Sequence, residues 1–320
     1  DTKLLNGDFD INKNDNKILD VCLRKNASIF SLDFNVILKA KALGINTIIK
    51  DSIDDEEYKG YKEIQLSDED MADLYNNINE NKYDLLENEY LIIKNQQGEI
   101  VDKRKWTGQS LDQLKYKTVC TKYTDKVKPK NTKQEFVFDM LQNSKIKFSL
   151  IEGLHGTGKT LIMIANALEL IEKGKYSKII WIVQNQAVAG TTDIGALPGG
   201  LDEKLSPFSA IFADKVGGEF SMQELQANNK LEVIPLAFIR GRSFRDAIVM
   251  MSEAENTTVQ HMKLLISRLE ENSMLMIDGD FKQTDKEIFK SNNGLRKVID
   301  TFKGLPEFGL MTLTDVERSR

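Results

Sequence analysis

Glu152-Gly153-Leu154-His155-Gly156-Thr157-Gly158-Lys159-Thr160 lies near the middle of the chain, and its spacing constrains everything around it. Gly153, Gly158, Lys159 and Thr160 satisfy G-x-x-x-x-G-K-[ST], the pattern of a phosphate-binding P-loop. Glycines let the backbone curl so that its N–H groups converge on phosphate oxygens. Lys159 supplies a point charge for the β- and γ-phosphates, and Thr160 offers a hydroxyl to Mg2+. Residues 147–151 form a short apolar run that reads as a strand. Leu161, Ile164, Leu168 and Ile171 recur at helical spacing behind the loop, so a helix over 160–173 should turn its positive end toward the phosphates. The candidate nucleotide cradle is therefore Gly153, Leu154, His155, Gly156, Thr157, Gly158, Lys159, Thr160 and Leu161.

Outward from the loop, the chain's 320 residues allow two domains with a small module between them. Hydrophobic content of 41% and charged content of 29% describe an ordinary globular protein. Cys22 and Cys120 cannot build a disulfide framework and have no metal-ligand spacing, which predicts a cytoplasmic protein. The longest apolar runs, such as Ile179-Ile180-Trp181-Ile182-Val183, are too short to cross a bilayer, and no membrane partner is expected. The chain opens at Asp1 and stops at Arg320 within a motif, so both ends are expected to be trimmed relative to the gene product. A net charge of −5 leaves any nucleic-acid contact to a local patch. Residues 115–133 carry Lys115, Lys117, Lys122, Lys126, Lys128, Lys130 and Lys133 with Tyr116 and Tyr123 between them. With Pro129 and its polar content this stretch reads first as a solvated linker, and alternatively as that patch.

Three regions separate. Residues 1–60 read as α/β: a helix over 16–25 capped by Asp15 or Asn16, a strand over 27–32, a helix over 34–43 ended by Gly44, and a strand over 45–49. A β-α-β order predicts parallel pairing of the two strands. Residues 61–126 read as a small β-rich connector, with a short helix over 71–78 and a hairpin of 89–94 with 99–101 around Asn95-Gln96-Gln97-Gly98. Residues 127–320 alternate strands and helices. Further strands are predicted over 178–183, 232–237, 247–251 and 274–277, and a helix over 259–269. That alternation predicts a doubly wound parallel sheet with its ligand at the strand C-termini.

Two acidic stretches follow the loop. In Met251-Ser252-Glu253-Ala254-Glu255-Asn256 an apolar strand ends in acid, and Glu253 is placed to orient or deprotonate an attacking water. In Ile277-Asp278-Gly279-Asp280-Phe281-Lys282-Gln283, Asp280 and Gln283 have the spacing of a γ-phosphate sensor, or of an Asp-Gly turn. Upstream, Gln134 carries an amide of the kind that reads an adenine edge.

Together these residues resemble the PhoH family of P-loop ATPases, which is related to superfamily 1 helicases. The resemblance covers residues 127–320. It runs from Asn131 and Gln134 through the P-loop, Asp193-Ile194-Gly195-Ala196-Leu197-Pro198-Gly199, Ile239-Arg240-Gly241-Arg242-Ser243, Glu253-Ala254-Glu255-Asn256 and Gly279-Asp280-Phe281-Lys282-Gln283, to Asp315-Val316-Glu317-Arg318. It implies ATP and Mg2+ as cofactors, nucleotide contact at Asn131 and Gln134, and a trans-acting finger at Arg318. Arg240 and Arg242 are implied in nucleotide or RNA contact, with a salt-bridged structural role as the alternative. Asp15 and the residues around Asp33 are similar to the C-terminal half of a PIN nuclease domain, which makes Asp15 and Asp33 candidate metal ligands; for Asp15 an N-cap is the alternative. The combination is similar to two-domain PhoH proteins, regarded as RNA-directed ATPases or helicases with ribonuclease activity that form ring-like homo-oligomers, possibly hexamers.

Two positions depart from the family pattern. Ser252 stands where the family has the Walker B aspartate that steadies Mg2+ through its water shell, and Asn185 is the counterpart of an arginine. Loss of two charges is expected to leave ATP binding intact and to slow hydrolysis. The expectation is an RNA-acting ATPase with an incomplete PIN-like region. Its alternative is a non-catalytic, ATP-gated assembly module.

Overall fold

The computed structural model describes residues 14–30, 36, 40, 43–45, 47–48, 58–184, 210–283 and 293–317. Two compact units divide the chain, Asp1–Glu57 and Tyr58–Arg320. In the first, helix α1 (Asn14–Lys25) precedes β1 (Ile29–Phe30) and β2 (Thr47–Ile48). The two strands pair in parallel, as a β-α-β order demands. Leu19, Cys22, Ile29, Val36, Ala40 and Ile45 form its small core. Helix α1 begins earlier than expected, which puts Asp15 inside the first turn instead of ahead of it. Asp33 and most of the helix expected over 34–43 lie outside the described residues.

The second unit opens with β3 (Tyr61–Gln65), whose half-polar Tyr-Lys-Glu-Ile-Gln sequence gave no strand signal. Helix α2 (Asp68–Asn76) follows, capped by Ser67, whose hydroxyl accepts the Asp70 N–H at 3.1 Å. Then come β4 (Tyr90–Lys94), β5 (Ile100–Trp106) and β6 (Leu111–Gln113). The sheet order is β3-β4-β5-β6, with the predicted β4–β5 hairpin antiparallel and β3 parallel to β4. Residues 115–133 are not a solvated linker. They contain the hairpin β7 (Val119–Thr121) and β8 (Thr124–Val127), with Val119 fully buried and Tyr116 and Tyr123 packed on the main core.

Helix α3 (Thr132–Gln142) leads to β9 (Phe148–Gly153), the P-loop and α4 (Lys159–Glu172). The remainder is β10 (Lys178–Val183), α5 (Glu219–Ala227), β11 (Leu231–Pro235), β12 (Ala247–Met251), α6 (Val259–Ile266), β13 (Met274–Gly279), α7 (Gly294–Phe302) and β14 (Phe308–Leu313). The six-stranded sheet runs β11-β10-β12-β13-β9-β14, every pairing parallel.

A parallel sheet must be covered on both faces, so its strands are apolar throughout and alternate side by side. Ile248 and Met250 of β12 and Met274 and Met276 of β13 join α3 and α4 in one core. Val249 and Met251 of β12 and Leu275 and Ile277 of β13 join α6 and α7 in the other. Each such buried side chain contributes about 1.5–3 kcal/mol. The β3–β6 sheet is fastened to this body by polar bonds as well. Asp139 of α3 accepts from Tyr90 Oη at 2.8 Å, Lys105 Nζ at 2.6 Å and the Lys115 N–H at 2.6 Å. Asn88 Nδ2 donates to Pro306 O and Phe308 O, each at 3.0 Å.

Candidate nucleotide site

The C-terminal ends of the parallel strands gather the P-loop, residues 252–256, residues 278–283 and residues 314–317 at one edge of the sheet, where α/β folds place ligands. The loop turns where its glycines permit. Gly153 has φ +149°, and a Cβ there would sit 2.2 Å from Leu313 O on the neighbouring strand. Gly158 caps α4 with φ +87°. Thr157 is buried and its hydroxyl donates to Leu154 O at 2.9 Å, which closes the loop on itself. Leu154 and His155 are exposed at its tip. Lys159 Nζ bonds to Gly153 O and, at 2.9 Å, to Leu154 O, so the ammonium lies across the loop. Leu161 stands half-buried in the first turn of α4.

Thr160 sits in a cluster. Its Oγ1 donates to Asp278 Oδ2 at 2.8 Å and lies 3.3 Å from Ser252 Oγ. Asp278 Oδ1 accepts from Ser252 Oγ at 2.8 Å and from the Glu253 N–H at 3.1 Å. Burial pushes the Asp278 carboxyl above the ordinary aspartate range, against the lowering effect of these donors and of Lys159. Glu253 is exposed and held left-handed at φ +55°, a conformation costing about 1–3 kcal/mol, and the other described non-glycine residues at positive φ are all Asn or Asp. Glu255 is buried and accepts the Asp280 N–H at 3.1 Å. Burial, with help from Glu253 and Asp278, raises its carboxyl to about 7 against the pull of its backbone donors. Asp280 is buried beside it, while Gln283 is exposed in a 3-10 turn, its N–H donating to Asp280 O at 3.0 Å.

Upstream residues reach the loop too. Asn131 caps α3 by accepting the Gln134 N–H at 3.0 Å, and its Nδ2 donates to Glu317 Oε1 at 2.6 Å. Glu317 in turn donates its N–H to Gly156 O at 3.0 Å. The Gln134 side chain is buried, with Oε1 accepting the Lys130 N–H at 2.8 Å and Nε2 donating to Thr157 O at 3.0 Å. One of its two amide donors therefore holds the P-loop and one of its two acceptor sites holds the approach to α3, which leaves one donor and one acceptor site. Arg242 is ion-paired to Glu232 at 2.6 Å, the structural alternative for that residue. Arg318 and Asn185 lie outside the described residues, and nothing is described of the Asp15 side chain.

Three residues were missed by sequence reasoning: Asp278, Glu255 and Glu317. The pleat supplied a signal for the first, since Asp278 follows Met274 and Met276 at strand period and so points toward α4. The donor set is all oxygen, a hydroxyl pair and a carboxylate, which suits a hard cation such as Mg2+. Among the described residues no group of three or more His, Cys, Asp or Glu side chains could hold a metal ion by itself.

The sheet order and the loop define a P-loop NTPase fold. The chain belongs to the PhoH family: the family model described as PhoH-like protein matches residues 126–320. Protein PhoH2 of Bacillus subtilis (strain 168) is 31% identical over 343 residues, covering 96% of this chain and 75% of that protein. PhoH-like protein of the same organism is 34% identical over 192 residues, 58% of each chain. PhoH2 of Thermobispora bispora is 32% identical over 194 residues, 59% of this chain and 44% of its own length. Among solved structures, the Pif1 helicase from Candida albicans overlaps with a TM-score of 0.32 and 17% identity, over 60% of this chain and 41% of that one.

Proposed function

We propose that this chain binds ATP with Mg2+ and hydrolyses it, and that it acts on RNA as a helicase- or translocase-type PhoH protein. The observation that carries the reading is the convergence of the P-loop cluster with Glu253, exposed and left-handed at the next strand end. Bound ATP with Mg2+ supplies the transferable phosphoryl group and neutralises its charge. Lys159 grips the phosphate oxygens. Thr160 presents its hydroxyl oxygen to the cation. Glu253 orients the attacking water and takes its proton, a role for which the exposed carboxylate needs no displacement of packed neighbours. Asp280 and Gln283 report on the γ-phosphate, with Glu255 holding the Asp280 N–H.

A cytoplasmic setting follows from the cysteine usage, and RNA as substrate, a ring-like homo-oligomer and a trans-acting Arg318 follow from the resemblance. So does a PIN-like nuclease region in residues 1–60 with Asp15 and Asp33 as metal ligands. Residues 61–126 serve as the connector and residues 127–320 as the ATPase. Among the described residues no helix is long and apolar enough to cross a membrane. A second reading, an ATP-gated assembly module without turnover, is favoured by the uncharged Ser252 at the Walker B position. Steady-state phosphate release with and without RNA separates the two. Hydrolysis that RNA stimulates and that Glu253→Gln lowers by about 10²–10⁴-fold, with ATP still bound, is the expected result. Tight ATP binding without release selects the assembly module.

A further inference from the structure

This inference rests on the ATP and Mg2+ reading and concerns what replaces the missing Walker B charge. Strands β12 and β13 are parallel neighbours in register from Ile248↔Met274 to Met251↔Ile277. Continuing one residue brings Ser252 beside Asp278. Ile248, Met250, Met274 and Met276 all face the core that contains α4, so alternation sends both 252 and 278 toward the start of that helix. The contacts agree: Ser252 Oγ and Thr160 Oγ1 each donate to Asp278 at 2.8 Å, and the two hydroxyl oxygens are 3.3 Å apart. Either strand end can therefore deliver a carboxylate to Thr160.

We propose that the metal-orienting carboxylate of this chain has moved one strand over, from position 252 to Asp278, and that Ser252 now supplies the hydroxyl that holds Asp278 in place. A hydroxyl oxygen that ligates a cation must send its proton elsewhere, and Asp278 Oδ2 already accepts the Thr160 proton. Asp278 is 1% exposed, and its hydrogen bonds come from two hydroxyls and one backbone N–H, all neutral. Lys159 acts on it from a distance, its ammonium bonded to loop carbonyls, so a buried anion whose direct donors are all neutral gains strongly from a cation brought close by a ligand. The small, uncharged residue at 252 belongs to the same arrangement, because carboxylates at both positions would repel within one buried cluster. The charge that Ser252 removes is thus restored from the neighbouring strand. The site keeps the electrostatics needed to hold a cation between protein and phosphate.

The test is Mn2+ binding, read by electron paramagnetic resonance, together with calorimetric affinity for the non-hydrolysable analogue AMP-PNP, with Mn2+ and with EDTA. Asp278→Asn keeps size and an acceptor while removing the charge. It is expected to lose about 10–100-fold in Mn2+ affinity of the AMP-PNP complex while AMP-PNP affinity in EDTA stays within about twofold. Asp278→Ser should show the same loss, and the exchange variant Ser252→Asp/Asp278→Ser should recover most of it. Wild-type Mn2+ affinity in Asp278→Asn, a parallel fall of affinity in EDTA, or no recovery in the exchange variant would each overturn the proposal. Wild-type protein that binds no AMP-PNP under either condition would instead overturn the nucleotide reading, and this inference with it.

Discussion

Two buried aspartates, Asp139 under the β3–β6 sheet and Asp278 at the P-loop, are each 1% exposed and differ in what surrounds them. Asp139 is met by a lysine ammonium, a tyrosine hydroxyl and a backbone N–H. Its charge is answered inside the protein, and the result is a fastening between the β3–β6 sheet and helix α3. Asp278 is hydrogen-bonded only by neutral donors, and burial raises its carboxyl against the pull of those donors and of Lys159. The comparison separates a carboxylate that builds the fold from one whose charge is completed by a ligand.

The contrast breaks most visibly in stability. Asp139→Ala leaves Lys105 buried without its partner and should cost about 3–5 kcal/mol in urea unfolding. Asp278→Asn in nucleotide-free protein should leave the midpoint unchanged or raise it, so equal losses at the two positions would erase the distinction. Next in size is Glu255, whose folded-state carboxyl near 7 lies above its ordinary value of 4.5. Between those pH values the folded chain holds the extra proton, so the contribution is fully present below about 4.5 and is lost as pH rises through about 7. Glu255→Gln keeps the acceptor for the Asp280 N–H. It should match wild type near pH 5 and exceed it near pH 8 by on the order of 1–3 kcal/mol. Asn88→Gly keeps the left-handed backbone but removes the bonds to the approach of β14, for a cost of about 1–2 kcal/mol in the same assay. Smallest is Lys122→Ala at an exposed pair with Glu224, where the midpoint should not move measurably.

How much was legible follows the same division between local and distant causes. Strands β10 and β12 were readable residue for residue, because strands buried on both faces are continuous apolar runs. Strand β14 was not. Its Gly309 is a poor strand former in isolation, explained only by Met140 Sδ, 2.7 Å from where a Cβ would stand. Helices α3 and α7 went unread as well, the second opening on Gly294 after its Asn293 cap. At the site, the P-loop, Glu253 and Asp280 announce themselves through spacing. Asp278 resembled half of an Asp-Gly turn because its partners Ser252 and Thr160 lie 26 and 118 residues away. The Gln134 bond to Thr157, 23 residues on, was hidden for the same reason.

The outer side of β14 carries a consequence for dissecting this protein. Thr312 donates its N–H to Lys59 O at 3.0 Å, Asn88 bonds Phe308 O, and Gly60 approaches Leu310 O so closely that a Cβ would lie 1.9 Å from it. Residues 59–88 thus seal an edge that would otherwise offer a row of bare amides to any passing chain. A truncation starting at residue 126, where the family match begins, would strip that seal and yield a fragment prone to self-association, whereas one starting at Tyr58 would retain it.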